Sequence, residues 1–267
     1  VIRRVRALLP IMAESPGDME GEVERPLPRF GPTAIRLGDY WTTERGLLSG
    51  QGFRIAKDQK QNDATFLLKM RAAYLSAKNK KVKFCVDTDK LPQFKELSRN
   101  TLHTPRQPET YLTPLVLISE SPGANRDAIR ARISLGKTPI AFTQSFFGYS
   151  SHKHPDGEGI AKYLFVLANS DLFVYYMLMT SSKFGVERRA IYEEDIADFL
   201  IIAYEDIPKS KKIKMHELSH ALCVSPSEKD WAELNKCVYG LYLLDTPDQQ
   251  VIADTLAIRM PYVPVRR

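Results

Sequence analysis

The sequence predicts an α+β (mixed α/β) fold of short strands with a central helix, followed by a helical C-terminal tail. In the first half, short apolar segments alternate with glycine and proline turns, which is typical of strands. An apolar pattern of helical type covers residues 160–180, and roughly the last sixty residues show helical spacing with capping and stop signals. The 267 residues are enough to bury a sizeable core.

Residues 1–36 are rich in proline, glycine and glutamate, so we expect a linker or extended N-terminal segment there. Thr65 to Lys78 has apolar residues at helical spacing and is interpreted as a short helix. Residues 150–159 form a polar loop before the central helix. Strands are expected at 37–41, 46–55, 83–87, 112–118 and 140–149.

The central helix is expected at Ile160 to Thr180, and a shorter helix at 191–199. Residues 37–208 are therefore assigned to one domain, and 209–267 to a helical C-terminal segment. Helices in that segment are predicted at 215–224, 228–244 and 248–260.

The composition is that of a globular protein, with 43% apolar and 26% charged residues, which excludes a disordered tail, a collagen-like rod and a coiled coil. No apolar run approaches the roughly 18 residues of a membrane span, and no signal peptide is recognisable. Cys85, Cys223 and Cys237 form no CxxC pair, which favours a cytoplasmic location. Because the chain starts at Val1 rather than methionine, we expect it to be a fragment of a longer protein.

Positive charge is concentrated in one block. The formal net charge is +6, and residues 69–106 alone contain ten basic and three acidic side chains. A solvated surface explains any single lysine, whereas the block as a whole also fits a surface that faces phosphates.

Motifs for dinucleotide binding, for a phosphate-binding P-loop and for a nucleophilic serine elbow are absent. Residues 216–220 match HExxH, in which two histidines one helical turn apart bind zinc beside a glutamate base. No later histidine supplies a third ligand. The other interpretation is an amphipathic helix with its histidines outside and with Met215, Leu218, Leu222 and Cys223 inside. We predict no metal site and keep a zinc metallopeptidase using His216, Glu217 and His220 as an alternative.

Several blocks resemble the target-recognition region of bacterial adenine-N6 DNA methyltransferases, found in type I and Eco57I-like restriction–modification systems. Ala168-Asn169-Ser170 resembles the family's "LNS" helix, residues 185–189 its "GxxR" stretch, and residues 195–208 the segment that leads to its helical spacer. Residues 37–53 and 111–118 resemble two preceding blocks, and the tail from Trp231 resembles the closing helices. The resemblance covers about residues 37–260.

This resemblance implies a target-recognition domain that binds double-stranded DNA sequence-specifically and is non-catalytic by itself. Methyl transfer in the family needs a glycine-rich S-adenosylmethionine loop and an (N/D)PP(Y/F) motif, and the sequence contains neither. We therefore expect no cofactor in this chain. S-adenosylmethionine would belong to a missing catalytic domain or to a methyltransferase partner subunit.

A recognition domain needs cations for phosphates and hydrogen-bonding side chains for base edges. The loop at 148–153 follows an aromatic strand, although a plain surface turn also explains it. Arg106 and Gln107 lie between two prolines, which an ordered loop also explains. The other cations lie in the basic block, where solvated lysines are the alternative, or near Glu187, where an ion pair is the alternative. The expected DNA contacts are Lys80, Lys81, Lys83, Arg106, Gln107, Tyr149, Ser150, Lys153, Lys183 and Arg188.

A third hypothesis is a scaffold whose C-terminal helices dock another subunit. The helix from Trp231 has an apolar face that needs either a partner or its own core. That face consists of Leu234, Val238, Leu241 and Leu244.

Overall fold

The protein has the mixed α/β architecture that the sequence predicts, including the helical C-terminal stretch. A computed structural model describes residues 34–56, 65–76, 83–95, 101–103, 107–121, 130–181 and 190–257. Among these residues, the strands are β1 (Ala34–Arg36), β2 (Leu48–Gln51), β3 (Arg54–Ala56), β4 (Ala73–Leu75), β5 (Thr101–His103), β6 (Leu115–Ser119), β7 (Ala131–Ser134), β8 (Ile140–Phe142), β9 (Phe146–Ser150) and β10 (Leu200–Ile202). The α-helices are α1 (Leu37–Tyr40), α2 (Thr65–Lys69), α3 (Gly157–Asn169), α4 (Asp171–Thr180), α5 (Glu193–Ala197), α6 (Lys209–Val224), α7 (Glu228–Leu241) and α8 (Thr246–Ala257).

An antiparallel sheet in the order β2-β9-β6-β7 organises the fold. Beyond β7 the sheet continues into an extended segment around Cys85, because Ile133 donates its N–H to the Phe84 carbonyl and accepts from the Val86 N–H. A smaller parallel pair, β4 with β8, lies beside it, and its end is bridged to Phe53 through Thr143.

The sheet carries a hydrophobic core on each face, because alternate strand residues point to opposite sides. On β6, Val116 and Ile118 belong to the first core, which contains α3, α4 and the C-terminal helices. Leu115 and Leu117 belong to the second core, which is built on α2, β4, β8 and the turn at Pro108–Tyr111. The same strand therefore holds both halves of the molecule together.

The predicted central helix is two helices. Ser170 separates α3 from α4, and the pair is bent by 64°. The Ser170 hydroxyl accepts a hydrogen bond from the Phe173 N–H and donates one to the Leu167 carbonyl, so it caps the start of α4. Both helices are lined by residues of the first core.

Other predicted elements also differ from the structure. Residues 37–40 form a helical turn instead of a strand, because Leu37 and Tyr40 both enter the core from one side. The predicted helix from Thr65 ends at Lys69 and gives way to strand β4. The predicted strand 140–149 is two strands, and Gly148 in the second leaves room for the Phe142 ring, which a Cβ would approach to 2.2 Å.

The C-terminal helices share the first core with the rest of the chain. Leu234, Val238, Leu241 and Leu244 are all buried there, so the apolar face of α7 is covered by the protein itself. At the other end, β1 pairs with β10.

Candidate nucleic-acid interface

The residues expected to contact DNA are distributed over separate places. Lys80, Lys81, Arg106, Lys183 and Arg188 lie outside the described residues. The structure describes the other five residues: Lys83, Gln107, Tyr149, Ser150 and Lys153.

Tyr149 and Ser150 are structural residues, which corrects their assignment as DNA contacts. The Tyr149 ring is 2% exposed and meets the Trp41 ring edge-on, with centroids 5.4 Å apart. Burial, with a smaller effect from Glu193, holds the pKa of Tyr149 far above its ordinary value. Ser150 is fully buried, and its hydroxyl donates to the Leu112 carbonyl at 2.7 Å. Tyr149 is part of the first core and Ser150 is enclosed beside Leu112, so neither side chain reaches solvent.

Gln107 and Lys153 lie on the β2 side of the sheet. Exposed Gln107 precedes the turn at Pro108–Tyr111, and the Nζ of Lys153 is 3.6 Å from Oε1 of Glu109 in that turn. Gln107 lines an open groove with a volume of about 440 Å³. The other lining residues are Trp41, Thr42, Thr43, Leu47, Leu48, Ser49 and Thr110.

Exposed Lys83 lies at the opposite edge of the sheet. It precedes Cys85, which bridges Ile133 of β7, whereas Gln107 and Lys153 are near β2. Four interstrand steps of about 4.8 Å separate these edges, or roughly 19 Å. Lys83 and Gln107 therefore do not form one cluster.

A second group of cations surrounds the second core, and three of them, Lys69, Arg71 and Lys95, belong to the basic block of residues 69–106. These side chains are exposed, and none of them forms an ion pair with another described residue: Arg54, Lys69, Arg71, Lys95 and Lys137. By contrast, Arg36, Arg45 and Lys90 each have a carboxylate partner within 3.6 Å.

Arg71 and Lys95 are neighbours in this group. Ala73 bridges Gln93 in antiparallel register, and Phe94 donates its N–H to the Ala72 carbonyl. Extended by two residues, this register places Arg71 across from Lys95, and Lys69 precedes Arg71 by two positions. We call Lys69, Arg71 and Lys95 the cationic cluster.

The backbone at Arg71 is in an uncommon conformation. Its φ is 50°, in the left-handed region that favours glycine. The Arg71 N–H bonds the Leu68 carbonyl, and the Ala72 N–H bonds the Leu67 carbonyl, so Arg71 terminates α2 where glycine is common. An arginine at such a position costs about 1 kcal/mol relative to glycine.

The Ala168-Asn169-Ser170 block is part of a buried polar network. The Asn169 side chain accepts a hydrogen bond from the Ala131 N–H and donates to the Ala131 and Phe165 carbonyls. Arg130, 1% exposed, donates to Asp171 at 3.1 Å and to the Asn169 carbonyl at 2.8 Å. Asn235 of α7 bonds both the backbone and the carboxylate of Asp171. These residues tie the break between α3 and α4 to β7 and α7.

The HExxH residues lie on α6, which packs on the first core through Met215, Leu218 and Leu222, as the amphipathic interpretation predicts. His220 is exposed, whereas His216 is partly buried, and its Nε2 has no hydrogen-bond partner among the described residues. Burial, and then Lys162, lower the pKa of His216. Across the described ranges, no three His, Cys, Asp or Glu side chains are grouped so as to hold a metal ion. The zinc alternative gains no support from this geometry.

In the part of the chain that the structure describes, no single helix is long and apolar enough to cross a membrane; α3 and α4 reach that length and composition only as a bent pair.

No family model matches the chain, and no curated protein matches it. Among solved structures, the type IIG restriction endonuclease BpuSI is similar to it, with a TM-score of 0.42 and 12% sequence identity. The similarity covers 79% of this chain and 31% of the BpuSI chain, so the chain spans about a third of that enzyme's length.

Proposed function

We propose that the chain is the sequence-specific double-stranded DNA recognition module of an adenine-N6 DNA methyltransferase or restriction–modification enzyme. The observation that carries this proposal is the cationic cluster. Like charges at facing positions repel each other, and Lys69, Arg71 and Lys95 have no carboxylate partner among the described residues. A polyanion that binds there removes this repulsion. The resemblance over residues 37–260 is the reason for choosing DNA methylation systems.

The cluster would act on phosphates rather than on bases. Phosphate contacts set the position of a duplex, and base edges in a groove are then read by polar side chains. Tyr74, three residues after Arg71, is partly exposed and packs against the Phe53 and Phe94 rings, so an aromatic surface lies in the same local pairing. Gln107, which lines the groove on the β2 side, and Lys153, which pairs with Glu109 nearby, remain candidates for a second contact region.

The chain itself would position the target and perform no methyl transfer. A partner catalytic domain that holds S-adenosylmethionine would flip the adenine out of the duplex and methylate it. Incubation of the purified chain with a DNA duplex and labelled S-adenosylmethionine should leave the DNA unlabelled. Methylation of adenine by this chain alone would overturn the non-catalytic part of the proposal.

DNA binding is best tested by fluorescence anisotropy with a random-sequence duplex at several salt concentrations. The variant Arg71→Gln/Lys95→Gln removes two charges from the cluster and is expected to weaken binding by about tenfold or more at low salt. The slope of log K against log salt should fall by about 1.8, which corresponds to two phosphate contacts.

The matched control is Lys209→Gln/Lys211→Gln, which removes the same charge from exposed or partly exposed positions at the start of α6. It should leave the slope nearly unchanged. Equal losses in both variants would show a general charge effect and contradict a localised interface. If the wild-type chain binds, selection from a random duplex pool then tests whether it prefers one sequence.

A further inference from the structure

The groove on the β2 side is lined by side chains that carry no charge. Those of its lining residues that reach solvent form no side-chain hydrogen bond with another described residue: Thr42, Thr43, Ser49 and Gln107. Three hydroxyl groups and one amide at this groove are therefore available to a ligand.

The floor of the groove is apolar and well packed. Leu47 and Leu48 are buried, and the Trp41 ring, 5% exposed, donates its Nε1–H to the Leu48 carbonyl at 3.0 Å. Polar groups around an apolar floor are typical of sites for small organic groups, and the volume of about 440 Å³ lies in the range of such sites.

The backbone that carries the polar groups is already ordered. The Gly46 N–H bonds the Thr43 carbonyl at 2.9 Å and closes the turn there, and Gly46 itself has a φ of 74°. Gln107 is followed by Pro108, and its carbonyl accepts a hydrogen bond from the Thr110 N–H at 3.0 Å. An ordered backbone lowers the entropic cost of binding a ligand at these side chains.

This lining matches a nucleobase better than a phosphate. Phosphate oxygens only accept hydrogen bonds, so they would leave the acceptor oxygen of the Gln107 amide unused, and no cation lines the groove to balance their charge. A base edge carries both donors and acceptors, as the hydroxyl and amide groups do.

The shape of the site indicates that the base is unpaired. In a paired duplex the base edges lie at the bottom of grooves, about 8.5 Å deep on the major-groove side, and protruding elements such as helices reach them. Groups recessed in a groove of the protein do not reach those edges. A base therefore has to leave the helical stack before it can enter this groove.

The groove and the cationic cluster adjoin the same second core. The Tyr111 ring, four residues after Gln107, contacts the Phe66 ring of α2 with centroids 5.8 Å apart. Lys69 of the cationic cluster is the last residue of α2. Phosphates held by the cluster would therefore keep a DNA strand near the groove.

We propose that the groove binds an unpaired nucleobase of the DNA, with Gln107 and Ser49 bonding its edge and the apolar floor beneath it. This inference rests on the proposed function, because the base belongs to DNA that the chain has already bound. It adds a preference for duplexes in which one base has left the stack.

The test compares two duplexes by fluorescence anisotropy at one salt concentration. One is fully paired, and the other has the same sequence with a central base opposite an abasic site, which makes that base easy to unstack. Each of the four bases is placed there in turn. For at least one of them the wild-type chain should bind the second duplex about tenfold more tightly, the effect of one or two hydrogen bonds.

The variant Ser49→Ala/Gln107→Ala changes two exposed residues and should bind both duplexes equally. The matched control, Gln250→Ala, removes an exposed glutamine amide on α8, outside the groove lining, and should keep the full preference. It also shows whether the preference comes only from the greater flexibility of the abasic duplex, because that effect would persist in both variants.

Two outcomes would overturn the groove assignment and leave DNA binding intact. These are equal binding of both duplexes by the wild-type chain, and a preference that Ser49→Ala/Gln107→Ala retains. The Arg71→Gln/Lys95→Gln variant should weaken binding of both duplexes and keep their ratio. Absence of binding to either duplex by the wild-type chain would overturn the proposed function, and this inference with it.

Discussion

The Arg130 guanidinium donates from both of its terminal nitrogens to one carboxylate oxygen of Asp171, each at 3.1 Å, inside the protein. The pair connects the start of β7 to the first turn of α4. Asp171 is only 8% exposed, so little water competes with this contact.

Replacing Asp171 with alanine should lower the free energy of unfolding by about 3 kcal/mol, because it leaves the buried Arg130 charge without its carboxylate. Urea unfolding followed by circular dichroism measures the change. The control is Asp198→Ala, which breaks the exposed pair with Arg36 at 3.6 Å and should cost less than about 1 kcal/mol. Similar losses in the two variants would show that burial does not decide the strength of the contact.

Asn169→Ala should also destabilise the protein by about 3 kcal/mol, because the N–H and C=O of buried Ala131 lose their partner. DNA affinity measured on the folded protein should be unchanged. The opposite pattern, normal stability with weaker binding, would mean that Asn169 takes part in DNA recognition rather than in folding.

Arg71→Gly should make the protein more stable by about 1 kcal/mol and bind DNA more weakly. Glycine adopts the left-handed conformation without strain, but it removes one cation from the cluster. Leu243 also has positive φ, at 52°, and Leu243→Gly should stabilise the protein by a similar amount without changing DNA binding. Equal affinity for Arg71→Gly and wild type would remove Arg71 from the interface.

The alkylation rate of Cys85 by iodoacetamide should rise with pH and reach half its plateau near the pKa of about 7. Because the thiolate is the reactive form, a lowered pKa moves the rise in alkylation rate to lower pH. The side chain of Cys223 lowers this pKa, so Cys223→Ala should move the midpoint up towards the ordinary cysteine value of about 8.5. An unmoved midpoint would show that Cys223 does not stabilise the thiolate.

The sequence predicts the fold class and the C-terminal helices well, because the apolar spacing in α6 and α7 extends over several turns. Short segments are predicted less well. Leu37 to Tyr40 has strand-like composition, yet its backbone is set by a hydrogen bond from the Leu37 N–H to the carbonyl of Phe199, far away in the chain. Ser170 divides the central helix because its hydroxyl caps the second half, and hydrophobic periodicity does not contain that signal.

The candidate site was likewise predicted only in part from the sequence. The charge block at 69–106 indicated the region of the cationic cluster, but the choice of Tyr149 and Ser150 followed from their position before a polar loop. Their burial depends on contacts with residues remote in the sequence, the Trp41 ring for Tyr149 and the Leu112 carbonyl for Ser150. The special position of Arg71 depends on the end of α2 at Lys69, which the apolar spacing did not locate because it predicted helix up to Lys78.

The amide of Asn169 has a consequence for assembly. It bonds the outward N–H and C=O of Ala131, and the segment at Phe84 and Val86 bonds those of Ile133. Strand β7 therefore presents no free backbone groups at Ala131 or Ile133 to which a strand of another molecule could add. At these two residues, one side chain and one short segment occupy the positions through which strands of neighbouring molecules pair and aggregate.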